Sequence, residues 1–149
     1  MISKAGARTR AGLFDRLIDD HPEIDEIRPL NTLDRDGLIR ALEAELSRLL
    51  NTRCPVAHDE FESRERTTID YGIPDFGALQ AANPEDCRLL SLAVTDVIRH
   101  FEPRLKEVQV EIGPYPDRPH SAVAHVRGRI QLGRIPESVS FILTLDQLV

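Results

Sequence analysis

The side chains best placed to do chemistry in this chain are Glu102 and Arg104, on either side of Pro103 in the run Val97-Ile98-Arg99-His100-Phe101-Glu102-Pro103-Arg104-Leu105. Pro103 has no N–H and pushes Glu102 out of the right-handed helical region, so a helix arriving here stops or kinks. An acid and a base then flank a rigid bend. At i and i+2 they do not face each other on one helix. Each is therefore expected to find another partner, either inside the chain or across an interface. Such a pair is weak evidence for stability by itself.

Other chemistries find less support. Glycoside hydrolysis needs two carboxylates flanking a cleft, one of them in apolar surroundings. Most acids here lie in exposed, charge-rich stretches such as 15–26 and 59–65. Glu102 is the best candidate acid, but it has a cation two residues away. No Gly-x-Ser-x-Gly elbow, Cys–His nucleophile pair or Gly-rich phosphate loop occurs. His21, His58, His100, His120 and His125 show no metal-binding spacing, and Cys54 and Cys87 are far apart. No metal and no cofactor is expected, and the thiols suit a reduced compartment.

Composition narrows the class further. At 149 residues the chain suits one compact domain, burying about two-thirds of its unfolded surface. Its 41% apolar and 30% charged residues are ordinary for a globular protein. The net charge of −6 opposes binding to a phosphate backbone, and the lack of Trp gives little for base stacking. No nucleic-acid partner is expected. No stretch approaches the ~18–20 apolar residues of a membrane span. Lys4, Arg8 and Arg10 precede no apolar run of the kind a secretory leader carries.

The elements that must position the bend are legible from periodicity. Leu38, Leu42, Leu46 and Leu49, with Ile39 and Leu50, predict a helix over 34–50, capped by Thr32 or Asp34 and ended by Asn51-Thr52-Arg53-Cys54-Pro55. Asn83, Pro84, Glu85 and Asp86 open a second helix over 84–101, whose apolar face is Leu90, Val94, Val97, Ile98 and Phe101. From Lys106 the period changes from 3.6 to 2. Strands are expected over 107–113, 121–132 and 138–146, with 113–119 as a rigid loop. On the middle strand Ala122, Ala124, Val126, Gly128, Ile130 and Leu132 take one face. His125, Arg127 and Arg129 form a basic row on the other, read as a solvated face or, less simply, a partner contact. Residues 67–72 read as a short strand ending at Gly72, and 73–76 as a turn returning Phe76 to the body. The result is an α+β fold: an antiparallel or mixed sheet with two long helices packed on one face.

Residues 1–10 are expected to be a flexible tail, 11–31 a docking segment and loop, and 32–149 a single domain. Leu13, Phe14, Leu17 and Ile18 lie on a piece under two helical turns, too short to hold a helix alone. They either cover this domain's own core or dock on a partner.

Four segments together resemble the phage baseplate wedge and lysozyme-like family, in its TssE branch. They are Leu13-Phe14-Asp15-Arg16-Leu17, Leu49-Leu50-Asn51-Thr52-Arg53, Asp70-Tyr71-Gly72-Ile73-Pro74-Asp75-Phe76 and Phe101-Glu102-Pro103-Arg104-Leu105. They run in the family's order over nearly the whole chain, and the Glu-Pro-Arg triplet is the family's hallmark. The resemblance implies a sheath-handshake-like fold. It implies a structural, non-enzymatic wedge subunit of a bacterial type VI secretion baseplate, cytoplasmic and recruited to the inner membrane without inserting into it. The implied partners are TssF–TssG-like wedge proteins, TssB–TssC-like sheath subunits, and the tube or spike hub. Glu102, Pro103, Arg104, Leu13, Phe14 and Leu17 are the expected partner-binding residues. A small adaptor or regulatory domain using the same sheet is the other reading, and a glycan hydrolase the third.

Overall fold

A computed structural model describes residues 9–10, 23, 32–56, 65–75, 83–116, 118–132 and 134–146. In chain order the elements are β1 (Thr9–Arg10), β2 (Thr32–Leu33), α1 (Arg35–Leu50), a 3₁₀ turn (Thr68–Asp70), α2 (Pro84–Phe101), β3 (Lys106–Tyr115), β4 (Arg118–Leu132) and β5 (Ile135–Leu145).

Both helices form where the apolar spacing places them. Asp34 caps α1, its carboxylate accepting from the Gly37 N–H at 2.8 Å. Leu38, Leu42, Leu46, Leu49 and Leu50 are buried along one stripe. Asn83 caps α2 through the Glu85 N–H at 3.1 Å, with Pro84 at the first helical position. Leu90, Val94, Val97 and Ile98 are its buried stripe. The helix ends at Phe101, two residues before the proline, as the missing N–H requires.

The sheet is antiparallel in the order β3-β4-β5. β4 pairs with β5 without interruption from Ala122↔Leu145 to Leu132↔Ile135. Its core face carries Ala122, Ala124, Val126, Ile130 and Leu132, beside Val108 on β3 and Phe141, Leu143 and Leu145 on β5. α2 packs along β3, α1 against β5, and the helices touch each other. Alternation therefore buries one face under the helices. Gln109, Glu111, His125, Arg127, Ser138, Ser140 and Ile142 are left exposed on the other.

The β3–β4 register slips between Lys106 and Gln109, a β-bulge that places Glu107 at φ 51°. Leu105, 2% exposed, enters the core beside this bulge and lies over Gly128. A Cβ on Gly128 would stand 2.7 Å from a Leu105 methyl carbon, so the bulge and the glycine fit one another.

Three expectations need correction. Residues 67–72 do not form a strand. The Asp70 carboxylate accepts from the Thr67 N–H at 2.8 Å and from its hydroxyl at 3.0 Å, and this local capping curls 68–70 into a 3₁₀ turn. The stretch 113–119 is less loop than expected: Gly113↔Val123, Pro114↔Ala122 and Tyr115↔Arg118 continue the ladder, and Arg118 stacks over the Tyr115 ring at 5.1 Å. Pro114 fits there because β3 is an edge strand. Within the expected tail, Thr9 and Arg10 pair with Leu33 and Thr32.

Candidate functional site

The bend after α2 brings Glu102 and Arg104 together, against the expectation that each needs a different partner. Arg104 Nε donates to Glu102 Oε1 at 2.7 Å and Nη2 to Oε2 at 2.6 Å, and the Arg104 backbone N–H adds a bond to Oε1 at 3.2 Å. The spacing rule that separates i and i+2 holds only within a helix, and Glu102 is already leaving one at φ −123°, ψ 72°. The Glu102 carboxylate, 7% exposed, is gripped by a two-pronged fork from an arginine that is 30% exposed. Pro103 is exposed at the apex. The Glu102 carbonyl also accepts from the Leu105 N–H at 3.1 Å, so the bend delivers Leu105 to the core and the chain to β3.

A second feature locks to the first. Residues 51–54 and 71–75, apart in sequence, clasp each other. The Cys54 N–H donates to the Ile73 carbonyl at 2.8 Å, the Ile73 N–H to the Thr52 carbonyl at 2.9 Å, and Arg53 meets Asp75 at 2.6 Å. Gly72, at φ 113°, sits where any Cβ would overlap the Thr52 carbonyl. Tyr71 then packs edge-on against Phe101, ring centroids 5.4 Å apart. Burial raises the Tyr71 phenol above its ordinary pKa, the Glu45 carboxylate raises it further against an opposing Arg48, and Glu102 adds to the rise. Three of the four segments singled out in the sequence thus converge where α1 and α2 end.

The third feature is the pair of sheet edges. On β3, the Ile112 N–H donates to the Ser91 hydroxyl and Arg99 donates to the Val108 carbonyl, each at 3.2 Å. Side chains of α2 thus occupy outward-pointing backbone groups of that edge. On β5, the Asn51 carboxamide donates to the Thr144 carbonyl at 3.0 Å and accepts from the Asp146 N–H at 3.0 Å. Because the β4–β5 register is unbroken, Pro136, Ser138, Ser140 and Ile142 share the outward direction of Thr144. Pro136 has no N–H to offer. Among the described residues nothing hydrogen-bonds the backbone of Ser138, Ser140 or Ile142 on that side. Ile142 is 68% exposed on the outer face of the same stretch.

The basic row is matched by acids of β3. Arg127 pairs with Glu111 at 3.1 Å and Arg129 with Glu107 at 3.2 Å. Its β5 side is uncharged, formed by Ser138, Ser140 and Ile142.

Of the residues singled out from sequence, Glu102, Pro103 and Arg104 form one unit. Leu13, Phe14, Leu17 and Phe76 lie outside the described residues. Sequence reading missed Ser91, Arg99 and Asn51. Asn51 was legible only as a helix stop. Ser91 and Arg99 lie on α2 with no spacing signal toward a strand still to come.

The sequence profile of the family described as baseplate wedge protein gp25 matches residues 37–134. The chain belongs to that family. No curated protein matches it. Among solved structures it is similar to a chain of the baseplate complex from the type VI secretion system, with 21% identity and a TM-score of 0.51, covering 72% of this chain and 93% of that one. That likeness is one of fold. The matched span runs from the first turn of α1 to the end of β4, so it contains the clasp, the Glu102–Arg104 bend and the sealing side chains of α2. The family's members are structural components of baseplates, and a structural baseplate role is the function of this chain at that level.

Proposed function

We propose that the chain is a structural wedge subunit of a bacterial type VI secretion baseplate. In this reading it binds TssF–TssG-like wedge proteins on one side. It offers the outer edge of β5 to an extended segment of a TssB–TssC-like sheath subunit, so that the first sheath ring assembles on it. The observation that carries the reading is the stretch 138–142, whose outward backbone groups have no hydrogen-bond partner among the described residues, in a member of a baseplate wedge family. Main-chain hydrogen bonds to that edge supply affinity, and alternating side chains supply specificity. An unpaired edge is a hazard in a free protein. A subunit whose purpose is to be covered has a reason to keep one.

The wedge contact is assigned to the bend, with Pro103 exposed at its apex and Arg104 partly accessible, and to Leu13, Phe14 and Leu17. No reaction is assigned. Glu102, the best candidate acid, is held by three hydrogen bonds from Arg104 rather than poised toward a substrate. The place of work is the cytoplasmic side of the inner membrane, as part of the assembled baseplate.

The test is reconstitution. Purified full-length chain is mixed with TssF–TssG-like subunits, then with TssB–TssC-like sheath subunits. The expected result is a stable wedge complex from which sheath grows. A monomer that ignores both sets would turn the assignment toward the adaptor reading. Glycan hydrolysis by the chain alone would overturn the structural reading.

A further inference from the structure

Asn51 does more than end α1. Its backbone N–H and its Nδ2 both donate to the Ser47 carbonyl, at 3.1 and 3.0 Å, which closes the last helical turn. The same carboxamide reaches across to β5, donating to the Thr144 carbonyl and accepting from the Asp146 N–H. A residue on a parallel neighbouring strand makes this same pair of bonds, donating to the carbonyl before and accepting from the amide after the residue it faces. Asn51 therefore imitates one residue of a strand at the far end of the β5 edge. It also pins the end of α1 where the next strand would run. At the other end, Pro136 points outward and offers a carbonyl but no N–H. Between these two stops lies 138–142, spanning about 17 Å of extended chain.

We propose that Asn51 is the register stop of the β5 edge: by pinning the end of α1 across Thr144 and Asp146, it confines a strand added to β5 to residues 138–142. The proposal rests on the reading of that edge as the acceptor of a sheath segment. It makes Asn51 a positioning residue, since it fixes where the added strand ends without belonging to the stretch that strand pairs with. The frame has a physical use. A strand that slips by one residue turns all its side chains to the opposite face. Val139 and Phe141 face the core side of β5 while Ser138, Ser140 and Ile142 face outward, so a fixed end keeps apolar and polar neighbours in step.

The experiment is amide hydrogen exchange on the full chain, free and in the complex with TssF–TssG-like and TssB–TssC-like subunits. In the free wild-type chain the Asp146 amide is protected by Asn51 and those of Ser138, Ser140 and Ile142 exchange fast. On assembly these three slow by about tenfold or more, the effect of gaining a hydrogen-bond partner, and Thr144 does not. In Asn51→Ala the end of α1 is released, Asp146 loses its protection in the free chain, and on assembly the slowing extends to Thr144. A role limited to stability would lower the melting temperature without moving that boundary. If Asn51→Ala does not fold, Asn51→Asp keeps the acceptor for the Asp146 N–H and loses both side-chain donations, to Ser47 and Thr144; Asp146 then stays protected in the free chain, and on assembly the slowing again extends to Thr144. Protection that still stops at Ile142 in a folded variant overturns the role of Asn51 and leaves the strand-accepting edge standing. If 138–142 gain no protection in the assembled wild type, the edge reading itself fails, and the register stop with it.

Discussion

The two edges of the sheet are opposites. Along β3, α2 sends Ser91 and Arg99 to outward backbone groups, the bulge at Glu107 interrupts the ladder, and Pro114 stands near the end. Along β5 the described residues bond the outward backbone only at the end, at Thr144 and Asp146, through Asn51, while Arg35 of α1 pairs with the Glu137 side chain near the strand's start. Among the described residues one sheet thus shows both ways of treating an edge: the strand's loose groups are bonded internally along β3 and left without a partner over 138–142 of β5. The helices decide which edge gets which. α2 runs into β3 through the short Glu102–Arg104 bend and lies along it, so its side chains reach that edge. α1 meets β5 at both ends, through the Arg35–Glu137 ion pair at its start and Asn51 at its close, but among the described residues only Asn51 reaches the outward backbone of that strand.

The most forceful way to break this contrast is to move a seal onto the open edge. Ser140→Pro removes an N–H that makes no bond among the described residues and places a ring where a neighbour would approach. The chain is expected to fold as before, since proline is tolerated at such edge positions. Binding of sheath subunits by the wedge complex should weaken about 100-fold, the worth of roughly two or three main-chain hydrogen bonds. Wild-type binding would show that β5 is not the acceptor.

Gly128→Val attacks the sealed side from within. The added carbons press on Leu105 and on the bulge that interrupts β3. Overpacking of this kind costs about 1–3 kcal/mol and should lower the melting temperature by about 3–10 °C. An unchanged melting curve would mean that Leu105 has room to move.

Glu102→Ala sharpens the comparison at the bend that feeds β3. Arg104 loses its fork, and because that arginine is partly exposed the cost to the monomer is held to roughly 1–2 kcal/mol. The monomer should remain folded while assembly with wedge subunits falls. Normal assembly by a folded variant would remove the bend from the interface, and failure to fold would make the pair purely internal.

The smallest effect belongs to unsealing β3. Ser91→Ala and Arg99→Ala each free one backbone group, costing about 1 kcal/mol. Together they should make the free chain self-associate on sizing columns at concentrations where the wild type does not. If the double variant stays as it was, the bulge and Pro114 protect that edge unaided.

Much of this was legible in advance for a simple reason. Buried stripes and faces repeat with the period of the element, so Leu38 to Leu50, Leu90 to Ile98 and Ala122 to Leu132 announce themselves. Caps are equally local, and Asp34, Asn83 and Pro84 act within three residues of their own position. The misreadings arise where a second interaction competes with the pattern. Residues 67–72 look extended until the Asp70 carboxylate turns back on Thr67. Gly113 and Pro114 look like a loop until an edge strand accommodates them.

The sequence by itself determined the two helices, the change of period at Lys106, the sidedness of the sheet and the stop at Pro103, because each depends on a residue and its near neighbours. Only the tertiary structure decided that Glu102 grips Arg104, that 51–54 clasp 71–75, and that, among the described residues, Ser91 and Arg99 bond the outward backbone of β3 while Asn51 bonds only the end of β5. Those bonds join groups many residues apart, such as Asn51 to Thr144. A hydrogen bond needs its partners within about 3 Å in a narrow range of angles. Sequence spacing cannot supply that condition until packing has brought the elements together.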